Sequence, residues 1–274
     1  MKGNAALIAL VLALAGAVKV PFEASMAADR PSNRLMLSVK MREQIGQGLS
    51  LALLGGVRAL GADFLWVAAR VAWEEHRWFT MQQNFEIVTL LQPRAIYFWD
   101  MASWHLAWNA SHAAANDPAE PRMAMRVRNQ RLWITAGREL LERGIQNNPD
   151  NAYLHERLGW LLHDKARDLC GAADATLKAV KLCKDWRIDY LRRLAGYWLE
   201  ECAREVAPAR LREAYDYWRD LWFKEHASHP PEQWDTIDKN IANRIQKLEN
   251  ELAVPDSERI FPKNKPSASV PPAR

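Results

Sequence analysis

One stretch of the chain carries polar and aromatic side chains at a spacing that suits molecular recognition. His105, Asn109 and His112 follow one another at intervals of four and three residues, and Trp108 lies beside them. Residues at these intervals share one side of an α-helix. An Asn amide can pair with a peptide backbone, and a Trp ring can stack on it. The pattern indicates either a recognition surface for a protein partner or a packed helix whose His and Asn side chains bond to neighbouring helices.

The histidines do not follow a known metal-binding pattern. His105 and His112 are two helical turns apart, about 10 Å along the axis, so they cannot share one ion. The pair His226-x-x-His229 lies in a loop that precedes two prolines. Zinc needs three or four converging ligands. The sequence indicates no such set, and we therefore expect neither a bound metal nor a cofactor.

The motifs of nucleophilic catalysis are missing from the sequence. It contains no G-x-S-x-G, S-x-x-K or Cys/His nucleophile pattern. Adjacent carboxylates such as Glu74-Glu75 point apart on a helix. A Trp-rich helical glycosidase would need isolated catalytic carboxylates, for which Asp100 beside Trp99 is the one candidate. We therefore predict a protein that is not an enzyme.

The composition favours helices over strands. Of the 274 residues, 41 are Ala and 32 are Leu, whereas Val, Ile and Thr together number 29. Ala and Leu favour helices, and β-branched residues favour strands. The net charge is +4, and Lys and Arg are interspersed with Asp and Glu along the chain. We therefore predict an all-α fold, with no nucleic acid among its partners because the positive charge forms no patch.

The first 27 residues have the features of an export signal. A short basic start precedes fourteen apolar residues, 5–18. As a helix this run would span about 21 Å, which is less than the bilayer core and suits a signal peptide. Ser25-Met26-Ala27 offers a cleavage site, whereas Val20-Pro21-Phe22 extends the apolar stretch as an uncleaved membrane anchor would. We predict a location in the bacterial cell envelope, either anchored in the inner membrane facing the periplasm or secreted to the periplasm.

Export permits disulfide bonds, and the chain has three cysteines, Cys170, Cys183 and Cys202. None of them forms a C-x-x-C motif, which argues against zinc ribbons, thioredoxin-type chemistry and covalent haem attachment. Cys170 and Cys183 could close a short loop and leave Cys202 unpaired. Alternatively, all three are small buried apolar side chains.

Periodicity and Pro, Gly and Asn breaks divide the remaining chain. Residues 28–48 are predicted to be a linker with a short helix, and residues 49–253 a helical domain in which Asn151 is a helix N-cap. Residues 254–274 hold five prolines and are predicted to be a disordered tail. Within the domain a break is expected at residues 171–174. The predicted helices cover residues 49–73, 78–91, 96–115, 123–146, 152–168, 209–226 and 232–252, and residues 178–206 are predicted to hold one or two helices.

Helix pairs of about 34 residues indicate a repeat architecture, in which small residues let two helices approach, large ones fill the gap and a proline ends each pair. Several residues stand at the corresponding positions. They are Ala69 and Ser103 at small positions, Phe85 and Trp99 at large positions, Leu158-Gly159 at a Leu-Gly pair, and Pro93 and Pro149 at the closing proline.

This pattern resembles the tetratricopeptide repeat superfamily over residues 60–170. The stretch 54–66, with the later Leu-Gln-Pro and Trp-His-Leu-Ala-Trp-Asn segments, is similar to a group of bacterial envelope proteins with degenerate repeats. The resemblance implies a right-handed solenoid of helical hairpins behind the N-terminal hydrophobic helix. It also implies a concave helical surface that binds a protein or peptide partner in the envelope.

We therefore predict a non-enzymatic, membrane-associated or periplasmic scaffold. The predicted contacts are His105, Trp108, Asn109 and His112, with Arg157 in a later helix. The thirteen tryptophans mostly recur at helical spacing, which suits core packing. If they instead form an exposed stacking surface, the alternative is a glycan-binding or glycan-processing envelope protein.

Overall fold

A computed structural model describes residues 57–261, which divide into two compact units after Ala102. Within this range every regular element is a helix, so the prediction of an all-α fold is confirmed. None of the helices between residues 57 and 261 combines the length and the apolar character needed to cross a bilayer. The predicted export signal, the linker and the last thirteen residues of the predicted tail lie outside the described residues.

The helices follow the predicted order, although several continue in a different helical geometry. The α-helices are α1 (Arg58–Glu74), α2 (Trp78–Leu91), α3 (Ile96–Trp104), α4 (Ser111–Ala115), α5 (Met123–Asn147), α6 (Ala152–Leu161), α7 (Leu169–Leu182), α8 (Ile188–Glu205), α9 (Leu211–Leu221) and α10 (Thr236–Glu251). The π-helical segments are π1 (His105–Ala110), π2 (Leu162–Ala166) and π3 (Trp222–His226), and short 3-10 turns cover Pro208–Arg210 and Pro231–Gln233.

In the first unit, α1 packs against α2 through alanines. Ala62, Ala69 and Ala72 are completely buried on α1 and allow the close approach of the larger side chains of α2. The ring of Trp66 fills the space beyond them, with its centroid 5.1 Å from that of Phe85. Small residues at the contact and large residues around it fix the distance between the two helices.

In the second unit, each helix from α5 onward contacts the next one along the chain. Alternate helices also touch directly. The rings of Trp160 on α6 and Trp198 on α8 lie 5.0 Å apart, and Arg244 on α10 donates a hydrogen bond of 2.7 Å to Glu200 on α8. Helices α6, α8 and α10 therefore lie side by side, with α7 and α9 connecting them.

Two glycines set the spacing of these helices. A Cβ atom at Gly159 would lie 2.8 Å from the Trp198 ring, and one at Gly196 would lie 2.6 Å from the ring of Trp218. Both distances are shorter than real carbon contacts, so an alanine would force the helices apart.

The predicted break at residues 171–174 is wrong. These residues form the beginning of α7, because the side chain of Asp168 caps the helix by accepting a hydrogen bond of 2.9 Å from the Gly171 amide. Ala172 and Ala173 are completely buried there. The chain leaves the helix only after Leu182.

Both alternatives for the cysteines, a bond between Cys170 and Cys183 or three unpaired side chains, are wrong. A disulfide joins Cys170 to Cys202, with 4.8 Å between their Cα atoms, and Cys183 is free. Because α7 and α8 are antiparallel, the start of α7 lies beside the end of α8. Cys183 follows the far end of α7, about 20 Å along the axis from Cys170.

The folded part of the chain extends further than predicted. Val254 is buried, and Ile260 and Phe261 pack against the apolar cluster between α9 and α10. Arg259 is buried as well, and its guanidinium donates hydrogen bonds to the carbonyl oxygens of Val254 and Glu249. The expectation of a disordered tail is therefore wrong for residues 254–261.

Candidate functional site

The predicted recognition residues lie on π1 and α4 rather than on one regular α-helix. His105 is buried, and the Asn109 amide nitrogen lies 3.0 Å from its Nδ1 atom. The ring of Trp104 meets the imidazole edge-on at 5.1 Å. These contacts satisfy both polar groups inside the fold, which favours the interpretation of a packed helix for His105 and Asn109.

Trp108 and His112 are more accessible than His105. Trp108 is half-buried, with the Lys165 ammonium 5.4 Å from its ring centroid in a cation–π contact. His112 is exposed, and the Asn116 amide lies 3.4 Å from its ring nitrogens. Of the four residues in this segment, His105 is therefore buried, Trp108 and Asn109 are half-buried, and His112 is exposed.

Arg157, the fifth predicted residue, belongs to a different cluster on α6. Its guanidinium lies 6.0 Å from the ring of Tyr153, and the Arg187 guanidinium lies 5.5 Å from the same ring. Trp186, which directly precedes Arg187, has 86% of its surface exposed. We call this cluster the α6–α8 surface, and it comprises Tyr153, Arg157, Trp160, Trp186, Arg187 and Tyr190.

The arginine at the centre of the α6–α8 surface is held firmly. Arg187 donates hydrogen bonds of 2.9 Å both to Glu156 on α6 and to Asp185 in the preceding loop. These hydrogen bonds raise the pKa of Arg187, and the guanidinium holds the pKa of Asp185 well below its ordinary value. The charge of Arg187 is therefore balanced by these two carboxylates, and the surface presents an ordered guanidinium between aromatic rings.

Tyr190 is fixed in the same surface. Burial raises the pKa of its hydroxyl, although a hydrogen bond from Trp160 opposes this rise. Tyr, Trp and Arg are the residue types that contribute most to binding at protein interfaces. Of this surface only Arg157 was predicted from the sequence, because its members come from two helices and a loop.

A histidine joins α8 to the end of α6. His163 in π2 has its Nδ1 atom 2.6 Å from Asp164 and its Nε2 atom 2.9 Å from Glu201 on α8. Its ring stacks on Trp198 at 4.9 Å. Burial alone would lower the pKa of His163, but the hydrogen bonds to the two carboxylates outweigh it and raise the pKa.

A further cluster contradicts the expectation that no three metal ligands converge. His226, His229 and Asp238 each offer one ligand atom, and these atoms lie within 4.8 Å of one another. Sequence spacing gave no signal for Asp238, because it lies nine residues beyond His229 in a separate helix.

Comparison with known proteins found no protein-family model and no curated protein that matches this chain. The interpretation of the site therefore depends on its own geometry.

The thirteen tryptophans all lie within the described residues, and Trp186 is the one that is exposed. Trp99, Trp133, Trp198, Trp218 and Trp222 are buried. The others are half-buried between helices. Twelve of the thirteen tryptophans are therefore buried or half-buried, which agrees with a packing role for most of them.

Proposed function

We propose that this protein is a non-enzymatic scaffold of the bacterial cell envelope that binds a protein partner through the surface of its helical hairpins. The observation that carries the proposal is the α6–α8 surface. It combines an exposed Trp186 with two arginines and two tyrosines whose positions are fixed by contacts within the fold. Aromatic and arginine side chains that are already ordered lose little entropy on binding.

The proposed architecture is a solenoid of helical hairpins similar to tetratricopeptide repeats. Two features support it. Alternate helices of the second unit touch side by side, as they do where hairpins stack. The residues at the small and large repeat positions, including Ala69, Phe85, Trp99 and Ser103, are all buried.

The proposed location is the periplasmic side of the inner membrane or the periplasm. The disulfide between Cys170 and Cys202 supports it, since such bonds persist in oxidising compartments and are rare in the cytosol. The basic and apolar start of the sequence supports it independently.

The binding proposal is tested by crosslinking in the native envelope, followed by capture of the protein and identification of what is attached. Trp186→Ala and Arg157→Ala should each reduce the recovered partner at least about tenfold, as expected for central interface residues. Phe223→Ala is the matched control, because Phe223 is also exposed, at 58%, but lies in π3.

Equal recovery of the partner with Trp186→Ala, Arg157→Ala and Phe223→Ala would refute the α6–α8 surface. The glycan alternative gives a different result. In that case soluble oligosaccharides would quench the fluorescence of Trp186, and Trp186→Ala would abolish the quenching without changing protein recovery.

A further inference from the structure

The cluster of His226, His229 and Asp238 is built where π3 turns back into α10. His226 is the last residue of π3, and His229 follows in the turn. The Trp234 indole donates a hydrogen bond of 2.9 Å to the His229 carbonyl and so holds this turn in place. Asp238 is fixed by the capping box of α10, in which its carboxylate accepts the Asp235 amide at 3.1 Å.

The three side chains meet at distances that suit one small cation. His226 Nδ1 lies 2.6 Å from one carboxylate oxygen of Asp238, and His229 Nδ1 lies 3.4 Å from the other. Tetrahedral zinc with bonds of about 2.1 Å keeps its ligands roughly 3.4 Å apart. Because the three ligand atoms lie within 4.8 Å of one another, side-chain adjustments of about 1–1.5 Å would bring them to this spacing.

One atom of the cluster is unexplained by the protein alone. His226 is buried, with 9% of the residue exposed to solvent. Its Nε2 atom has no hydrogen-bond partner among the described residues. A buried polar atom without a partner is costly. The nearest carboxylate oxygen belongs to Glu225, at 3.9 Å, and Glu225 is itself paired with Arg192.

A metal ion on Nδ1 would fix the tautomer of the His226 ring. It would leave the single ring proton of the neutral imidazole on Nε2, facing Glu225. A histidine that binds a metal through one nitrogen commonly donates its other N–H to a carboxylate. Glu225, which is paired with Arg192, lies 3.9 Å from Nε2 and would have to approach by about 1 Å to accept this hydrogen bond.

The surroundings favour the protonation states in which these side chains can bind a metal ion. Burial alone would raise the pKa of Asp238, but hydrogen bonds from His226 and the Asp235 amide outweigh it and lower the pKa, so the carboxylate is ionised at neutral pH. The ring of Trp222 stacks on His226 at 5.8 Å, and Trp234 and Phe261 surround Trp222. This apolar shell limits water to the side of His229, which is exposed.

We propose that His226, His229 and Asp238 form a zinc site with three protein ligands and a fourth position open to solvent. Neutral imidazole and carboxylate are ligands that Zn²⁺ prefers. The ion ties the end of π3 to the first turn of α10. This site does not depend on the proposed binding function.

The test is calorimetric titration of Zn²⁺ into metal-free, tag-free full-length protein, together with thermal unfolding. We expect one equivalent of zinc to bind and to raise the unfolding temperature. His229→Gln should weaken binding more than about 10-fold, because even residues that only orient a ligand contribute 10- to 100-fold. Glu225→Gln should weaken it about tenfold for the same reason.

His112→Gln is the matched control, since His112 is exposed and lies in α4, and it should bind zinc like the wild type. Asp238→Asn is a second ligand variant in which the amide oxygen still accepts the capping hydrogen bond, and it too should lose zinc binding. Substitution with Co²⁺ should give the visible absorption of a four-coordinate ion in the wild type and in His112→Gln, but not in His229→Gln or Asp238→Asn. Failure to bind one equivalent, or unchanged binding by His229→Gln, would overturn the proposal.

Discussion

Removal of the disulfide between Cys170 and Cys202 should destabilise the protein substantially. The bond closes a loop with a sequence separation of 32 residues. The loss of conformational entropy in the unfolded chain for a loop of this size corresponds to about 4 kcal/mol at 25 °C. The double variant Cys170→Ala/Cys202→Ala should therefore have a free energy of unfolding lower than that of the wild type by about this amount.

The assay is equilibrium unfolding in urea without reductant, followed by tryptophan fluorescence and circular dichroism. With a urea dependence of about 1–3 kcal/mol/M, the midpoint should fall by about 1.3–4 M. Cys183→Ala is the matched control and should change the free energy by less than about 0.5 kcal/mol, because Cys183 forms no disulfide.

Thiol titration gives an independent measurement. The native chain should expose one reactive thiol after denaturation without reductant and three with reductant, since Cys183 alone is unpaired. Peptide mapping that finds Cys183 in a disulfide would refute the pairing of Cys170 with Cys202. Destabilisation of the protein by Cys183→Ala to the same extent as by the double variant would also refute it.

Three further predictions follow from the packing. Asn109→Ala should lower the thermal stability, since it removes a hydrogen-bond partner of the buried His105; unchanged stability would restore Asn109 as a surface recognition residue. Gly196→Ala should destabilise the protein by about 1–3 kcal/mol through overpacking. Gly61→Ala should stabilise it by about 0.5–1 kcal/mol, because its Cβ atom would lie 3.7 Å from the nearest neighbouring atom. A change in unfolding free energy of the same sign for both variants, measured in urea, would contradict the packing. Because the pKa of His163 is raised above the ordinary value of 6.5, its stabilisation is present below that value and is lost as pH rises through the folded value. Between about pH 6 and about pH 8, the urea midpoint should therefore fall more for the wild type than for His163→Gln. An equal fall in the two proteins would refute the ion pairs of His163 with Asp164 and Glu201.

The sequence predicted those elements whose signals are local. Helix α2 has the predicted bounds of 78 and 91, because a proline follows it two residues later. Asn151 is confirmed as an N-cap, with its side chain accepting the Leu154 amide at 3.0 Å. Both signals act within a few residues along the chain, so neither requires knowledge of the neighbouring helices.

The error at residues 171–174 shows where local signals mislead. Gly and Ala in succession suggested a break, yet they stand where α7 meets its neighbours and must be small. Asp168 supplies a cap that permits the helix to begin just before them. Small residues can thus mark either a break in the chain or a close contact between helices. Only the position of the neighbouring helices distinguishes these two cases.

Helix propensity, caps and prolines act over one or two turns, so the amino-acid pattern was enough to predict that residues 57–261 are helical and where a helix such as α2 begins and ends. Three contacts became known only from the fold: Cys170 bonds to Cys202, Arg157 joins Tyr190 in one surface, and Asp238 meets two histidines. Each of these contacts joins residues from different helices or from a helix and a loop. Their proximity depends on the direction in which successive helices pack, which no short stretch of sequence encodes.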